Sequence, residues 1–120
     1  MRDANSTGRA ERMSDLHPAE PENATASLSS DGGVSVLTLS GELDLATVAD
    51  IQRSVDAIAA QAPEHLVIDL TGVTFMDSSG IALLLQIAEP RSRTELRNPT
   101  PLIRRVLEMT GLTEILPIVP

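Results

Sequence analysis

The segment Met76-Asp77-Ser78-Ser79-Gly80 holds the residues whose types and spacing bear most directly on chemistry. It follows an apolar run and precedes an apolar helical pattern, so it presents a carboxylate and a hydroxyl where a helix begins. Free backbone N–H groups and the positive end of the helix dipole favour negative charge at such a place. Phosphorylating Ser78 would add roughly −1.5 to −2 charges there. The helix tolerates that charge, whereas an acidic or apolar partner surface packed against Ser78 would not, which is the physical basis of a reversible binding switch. The same residues also suit plain helix capping, the commoner use of Asp or Ser at such a position.

Other chemistries fit the sequence less well. A strand-turn-Ser-helix arrangement suggests a nucleophile elbow, but that motif needs glycine two residues before and two after the serine. Gly80 supplies the second, and Met76 occupies the first position. His17 falls in the N-terminal segment and His65 at the start of a strand, so neither is expected beside Ser78. A carboxylate metal site from Asp44, Asp69 and Asp77 is conceivable, yet capping and strand roles account for these residues more simply. The chain has no lysine, which removes Walker-type nucleotide binding, and no cysteine, which removes thiolate metal sites and disulfides. No cofactor is expected.

The elements that must position Ser78 follow from the rest of the chain. At 120 residues the length suits one small domain. Met1 to Asn23 mixes Arg, Glu, Asp, Ser and Pro and reads as a disordered tail, with the folded domain spanning 24–120. The single aromatic residue, Phe75, means an aliphatic core and argues against base stacking. A net charge of −8 disfavours direct nucleic-acid binding. The longest apolar stretch, Ile81 to Leu85, is too short for membrane insertion, and with no signal peptide the expectation is a cytoplasmic protein.

From Thr25 the pattern predicts a short edge strand, a turn at Asp31-Gly32-Gly33, and a strand over Val34 to Leu39 ended by Gly41. Asp44 caps a helix carrying Leu45, Val48, Ile51, Val55 and Ile58 on one face. His65 to Leu70 reads as a central strand covered on both sides. Thr71 to Asp77 reads as a connection with Val73 and Phe75 buried beneath it. A second helix runs from Ser78 until Pro90 stops it. Thr94 to Arg97 is a candidate edge strand. A third helix starts at Thr100-Pro101, buries Leu102, Ile103, Val106, Leu107 and Met109, and closes at Gly111. Ile115 to Val119 is a last strand candidate. This alternation predicts an α/β domain with a mixed, mostly parallel sheet of four to five strands packed with helices.

Gly41-Glu42-Leu43-Asp44, the run Leu66 to Gly80, and Asn98-Pro99-Thr100-Pro101 followed by Val106 to Leu112 together resemble the STAS domain of bacterial anti-sigma factor antagonists. The resemblance implies a non-enzymatic protein that binds a serine-kinase anti-sigma factor and so frees a sigma factor. It implies Ser78 as the phospho-acceptor, with a PP2C-type phosphatase restoring the hydroxyl. Asp44, Asp77, Ser79, Gly80 and Ile81 are then expected on the partner-binding surface. A second use of the same domain is a binding module in a lipid-transport or stressosome-like assembly. One region departs from the family pattern: Pro90 cuts the second helix early, and Arg91-Ser92-Arg93-Thr94 leads directly into the next strand.

Overall fold

The computed structural model describes residues 24–119; the N-terminal segment read as a tail lies outside the described residues. Alternating apolar residues and a glycine turn start the fold. Strand β1 (Thr25–Asp31) and strand β2 (Val34–Leu43) form an antiparallel hairpin, with Asp31 opposite Val34. Gly32 and Gly33 have φ of +60° and +85°, the left-handed pair that a two-residue hairpin turn demands. Helix α1 (Leu45–Gln61), strand β3 (His65–Met76), helix α2 (Ser78–Ala88), strand β4 (Arg93–Arg97), helix α3 (Pro101–Met109) and strand β5 (Ile118–Val119) follow. A single 3-10 turn, Leu112–Glu114, precedes β5.

The five strands lie in chain order, β1-β2-β3-β4-β5, and every pair after the first is parallel. Parallel crossovers are right-handed almost without exception, so three steps in one direction lay three helices on one face. The core agrees. Leu37, Leu39, Leu66, Ile68, Leu70 and Leu96 from the sheet pack in one cluster with Ile51 and Val55 of α1, Leu83, Leu84 and Ile87 of α2, and Ile103 and Leu107 of α3.

Among the described residues the opposite face carries charge instead of a second helical layer. Arg97 pairs with Asp69 at 3.0 Å and with Asp31 at 3.2 Å, while Glu95 meets His65 at 2.9 Å and Arg93 at 3.0 Å. Val36 and Val67, partners in register, are buried on this side and stand outside the main cluster. The continuous apolar run of β3 therefore reflects two differently covered faces, with Leu66, Ile68 and Leu70 under the helices and Val67 and Asp69 buried on the charged side, as expected of a central strand.

Several boundaries also move. Gly41 does not end β2: with φ of +92° it sits within the strand, between two register shifts that let the chain run on to Leu43. The residues taken as a connection after Leu70 continue β3 as far as Met76, paired with this extended β2. Val73 is buried as expected, but Phe75 is 43% exposed. Strand β4 is not an edge, since β5 pairs beyond it. Helix α3 buries only Ile103 and Leu107 fully, leaving Leu102 and Met109 exposed. Thr100 caps α3, Pro101 opens it, and Gly111 follows its end at φ +79°, all as the sequence indicates.

Candidate functional site

Two helix starts meet at the carboxyl ends of β2 and β3. Leu43 and Met76 are register partners, and each is followed at once by an aspartate that caps a helix. Asp44 caps α1 in a reciprocal box: its Oδ1 accepts from the Thr47 N–H at 3.0 Å, and the Thr47 hydroxyl accepts from the Asp44 N–H at 3.0 Å. The Thr47 hydroxyl also donates to the Glu42 carbonyl, tying the end of β2 to the first turn of α1. The Thr47 backbone N–H, foremost among these bonds, holds the Asp44 carboxyl below its ordinary value.

Asp77 caps α2, with its Oδ1 accepting from the Ser79 N–H at 2.8 Å. Its own N–H donates to the Leu43 carbonyl at 3.2 Å, which ties the serine turn to the end of β2. Ser78 is the first helical residue of α2 and is exposed; Asp77, Ser79 and Ile81 are half-buried. Gly80 is buried. A Cβ there would stand 2.6 Å from Met76 Cγ and 2.9 Å from both Leu43 Cβ and the Leu43 carbonyl oxygen. Only glycine lets the first turn of α2 lie this close to β2, so its visible role is to position the turn.

The arrangement brings Asp44, Asp77, Ser78 and Ser79 to one end of the sheet and adds two residues that sequence reasoning placed elsewhere. Leu45, counted in the buried stripe of α1, is 75% exposed, and Phe75, expected inside, is 43% exposed. Leu45 follows the Asp44 cap directly, and Phe75 stands opposite Glu42 at the end of β3. Helical spacing gave a signal for Leu45, which lies at the margin of the stripe defined by Val48, Ile51 and Val55. No short-range sequence signal betrays Phe75, because β3 carries an extra residue opposite the Gly41–Glu42 step and leaves strict alternation there.

The remaining candidates stay apart from this end. Asp69 lies on the charged sheet face, where burial pushes its carboxyl up but hydrogen bonds from Thr71 and Arg97 outweigh that and hold it low. Asp44, Asp69 and Asp77 do not converge, and no group of three or more metal-ligating side chains occurs among the described residues. His65 begins β3, roughly 35 Å of strand from Met76 at about 3.3 Å per residue, and is bonded to Glu95. His17 lies outside the described residues. Ser78 therefore has no histidine base beside it among the described residues.

Known proteins share this architecture. The profile of the family described as "Mlab, STAS domain" matches residues 26–120. The anti-sigma-F factor antagonist RsfB of Mycobacterium tuberculosis is 36% identical over 69 residues, covering 58% of this chain and 57% of that protein. The chain thus matches little more than half the length of that relative. An anti-sigma factor antagonist from Mycobacterium paratuberculosis superposes with a TM-score of 0.74 at 31% identity, over 85% of this chain and 90% of the other. The Bacillus cell fate determinant SpoIIAA in its phosphorylated form gives a TM-score of 0.54 at 29% identity, over 80% and 92%.

Proposed function

This chain belongs to the STAS domain family, among the anti-sigma factor antagonists, and from that premise we propose that it is a partner switch operated at Ser78. With Ser78 unmodified it binds a serine-kinase anti-sigma factor, which then releases its sigma factor. The kinase transfers the γ-phosphoryl group of ATP to the Ser78 oxygen, the hydroxyl proton leaves to a base of the kinase, and ADP departs. A PP2C-type phosphatase hydrolyses the phosphoester with water, returning the hydroxyl and releasing phosphate.

The observation that carries this reading is the exposed Ser78 hydroxyl in the first turn of α2, beside the capping Asp77 and tied to the Asp44 turn through Leu43. New charge at that position is compatible with the positive helix end, so the domain survives modification. It also lies at the same end of the sheet as Asp44, Asp77 and the exposed apolar Leu45 and Phe75. A dianion there repels an apolar partner surface and leaves the fold alone.

The test is mass spectrometry after incubation with the cognate kinase and ATP. One phosphate is expected on the wild-type chain and on Ser79→Ala, and none on Ser78→Ala. Stoichiometric phosphorylation of Ser78→Ala refutes the acceptor assignment. A second use of the same domain, with the serine turn as contact surface only, is a binding module in a lipid-transport or stressosome-like assembly. Under that reading Ser78→Glu retains every partner.

A further inference from the structure

The peptide that joins Leu43 to Asp44 is held from both sides. Its N–H donates to the Thr47 hydroxyl at 3.0 Å, and its carbonyl accepts from the Asp77 N–H at 3.2 Å. A trans peptide is planar, with N–H and C=O pointing opposite ways, so fixing one end aims the other. Thr47 therefore aims the carbonyl that holds the serine turn, although its own side chain belongs to α1. The hydroxyl has one proton to give, and it donates to the Glu42 carbonyl. These two bonds clamp the backbone on either side of Leu43.

The two helix starts divide this work unequally. A capping box is commonly closed by Glu or Gln at the third helical position. In α1 that position is Thr47, and in α2 it is Gly80. Gly80 has no side chain to return to the Asp77 N–H, and the approach to Leu43 leaves no room for one. The Asp77 N–H is satisfied by Leu43 instead. At position 47 a glutamate would accept from the Asp44 N–H, but a carboxylate has no proton for the Glu42 carbonyl. Threonine does both with one oxygen.

We infer that Thr47 is a positioning residue for the phosphorylation of Ser78: acting through the Leu43–Asp44 peptide, its hydroxyl sets the orientation in which the serine turn meets the kinase. The inference rests on the Ser78 switch proposed above. In that transfer the Ser78 oxygen attacks the γ-phosphorus while ADP leaves in line and the hydroxyl proton passes to a base of the kinase. The direction of the oxygen therefore governs the rate as much as its exposure does.

The experiment compares the full wild-type chain with Thr47→Val, which loses the hydroxyl and keeps the branched shape, and with Thr47→Ser, which keeps the hydroxyl. Thr100→Ala serves as the control, since it removes the cap of α3 and leaves this clamp alone. Amide hydrogen exchange and single-turnover phosphorylation, with the cognate kinase in excess and ATP, are the two readouts. In Thr47→Val the Asp77 amide is expected to exchange about five- to tenfold faster, the size of one hydrogen bond. The saturating phosphorylation rate falls by a similar factor, while the kinase concentration giving half that rate is little changed. Thr47→Ser restores both readouts, and Thr100→Ala melts lower without altering either. An unchanged saturating rate in Thr47→Val overturns the inference, as does an equal loss in Thr47→Ser or Thr100→Ala. A loss confined to the half-saturating concentration makes Thr47 a docking contact and overturns it too. Absence of phosphate on Ser78 of the wild-type chain refutes the switch itself, and the inference falls with it.

Discussion

Replacing Gly80 with alanine sets two effects against each other. Alanine in a helix is worth about 0.5–1 kcal/mol over glycine, because the unfolded chain loses less freedom on folding. Against that, the new methyl would stand 2.6 Å from Met76 Cγ and 2.9 Å from both Leu43 Cβ and the Leu43 carbonyl oxygen. Met76 has a flexible side chain and can swing away. Leu43 cannot, because its carbonyl is held by the Asp77 N–H and its side chain is fully buried. Overpacking of this kind costs about 1–3 kcal/mol; a backbone oxygen that cannot yield puts this site in the upper half of that range, so with about 1 kcal/mol regained from alanine the net loss is about 1–2 kcal/mol. For a domain of this size that lowers the melting temperature by about 4–16 °C. Thermal unfolding followed by circular dichroism at the helix band measures it. Relief of the clash moves the serine turn away from β2, so the kinase should also phosphorylate Gly80→Ala more slowly than wild type. A Gly80→Ala protein as stable as wild type would refute the argument that close approach of α2 to Leu43 dictates glycine.

Three further outcomes are expected. Ser78→Glu should melt within a few degrees of wild type while losing kinase binding in calorimetry, since charge at the start of α2 acts on the partner and not on the fold. Leu45→Asp and Phe75→Ala should each weaken kinase binding by about tenfold or more, as exposed apolar anchors do, with little loss of stability. Acid stability should follow the carboxyls: Asp69, Glu95 and Asp44 are all held low in the folded state. Each then contributes stability that is complete above its unfolded pKa, near about 4, and is lost as pH falls through its lower folded value. Melting temperature should hold from neutral pH to about 5 and fall below about 4, with a shallower fall in Asp69→Asn.

The features legible in the sequence were those decided within a few residues. The caps at Asp44, Asp77 and Thr100 and the end of α2 before Pro90 rest on local side-chain and backbone chemistry, and all stand where the sequence puts them. The strand lengths did not obey the same logic. Gly41 and the polar Thr71-Gly72 look like terminators, yet β3 takes in an extra residue at each of two register shifts against β2, and both strands run on to meet the helix caps. That extension is a property of the pair of strands, invisible in either alone. It turned Phe75 outward and brought Asp44 beside the serine turn. The exposure of Leu102 and Met109 has a similar origin: α3 is amphipathic, but how wide a stripe it buries depends on what the sheet offers it.

The outward turn of Phe75 has a practical consequence. With no Trp or Tyr in the chain, this ring is the one aromatic carbocycle in the molecule, and it stands at the end of β3 two residues before the serine turn. Biosynthetic incorporation of 4-fluorophenylalanine would therefore place a single fluorine nucleus three residues from Ser78 in the chain, at the same end of the sheet, without any mutation. One resonance in a silent background would follow docking and dephosphorylation in real time, in a cell extract as readily as in a purified mixture.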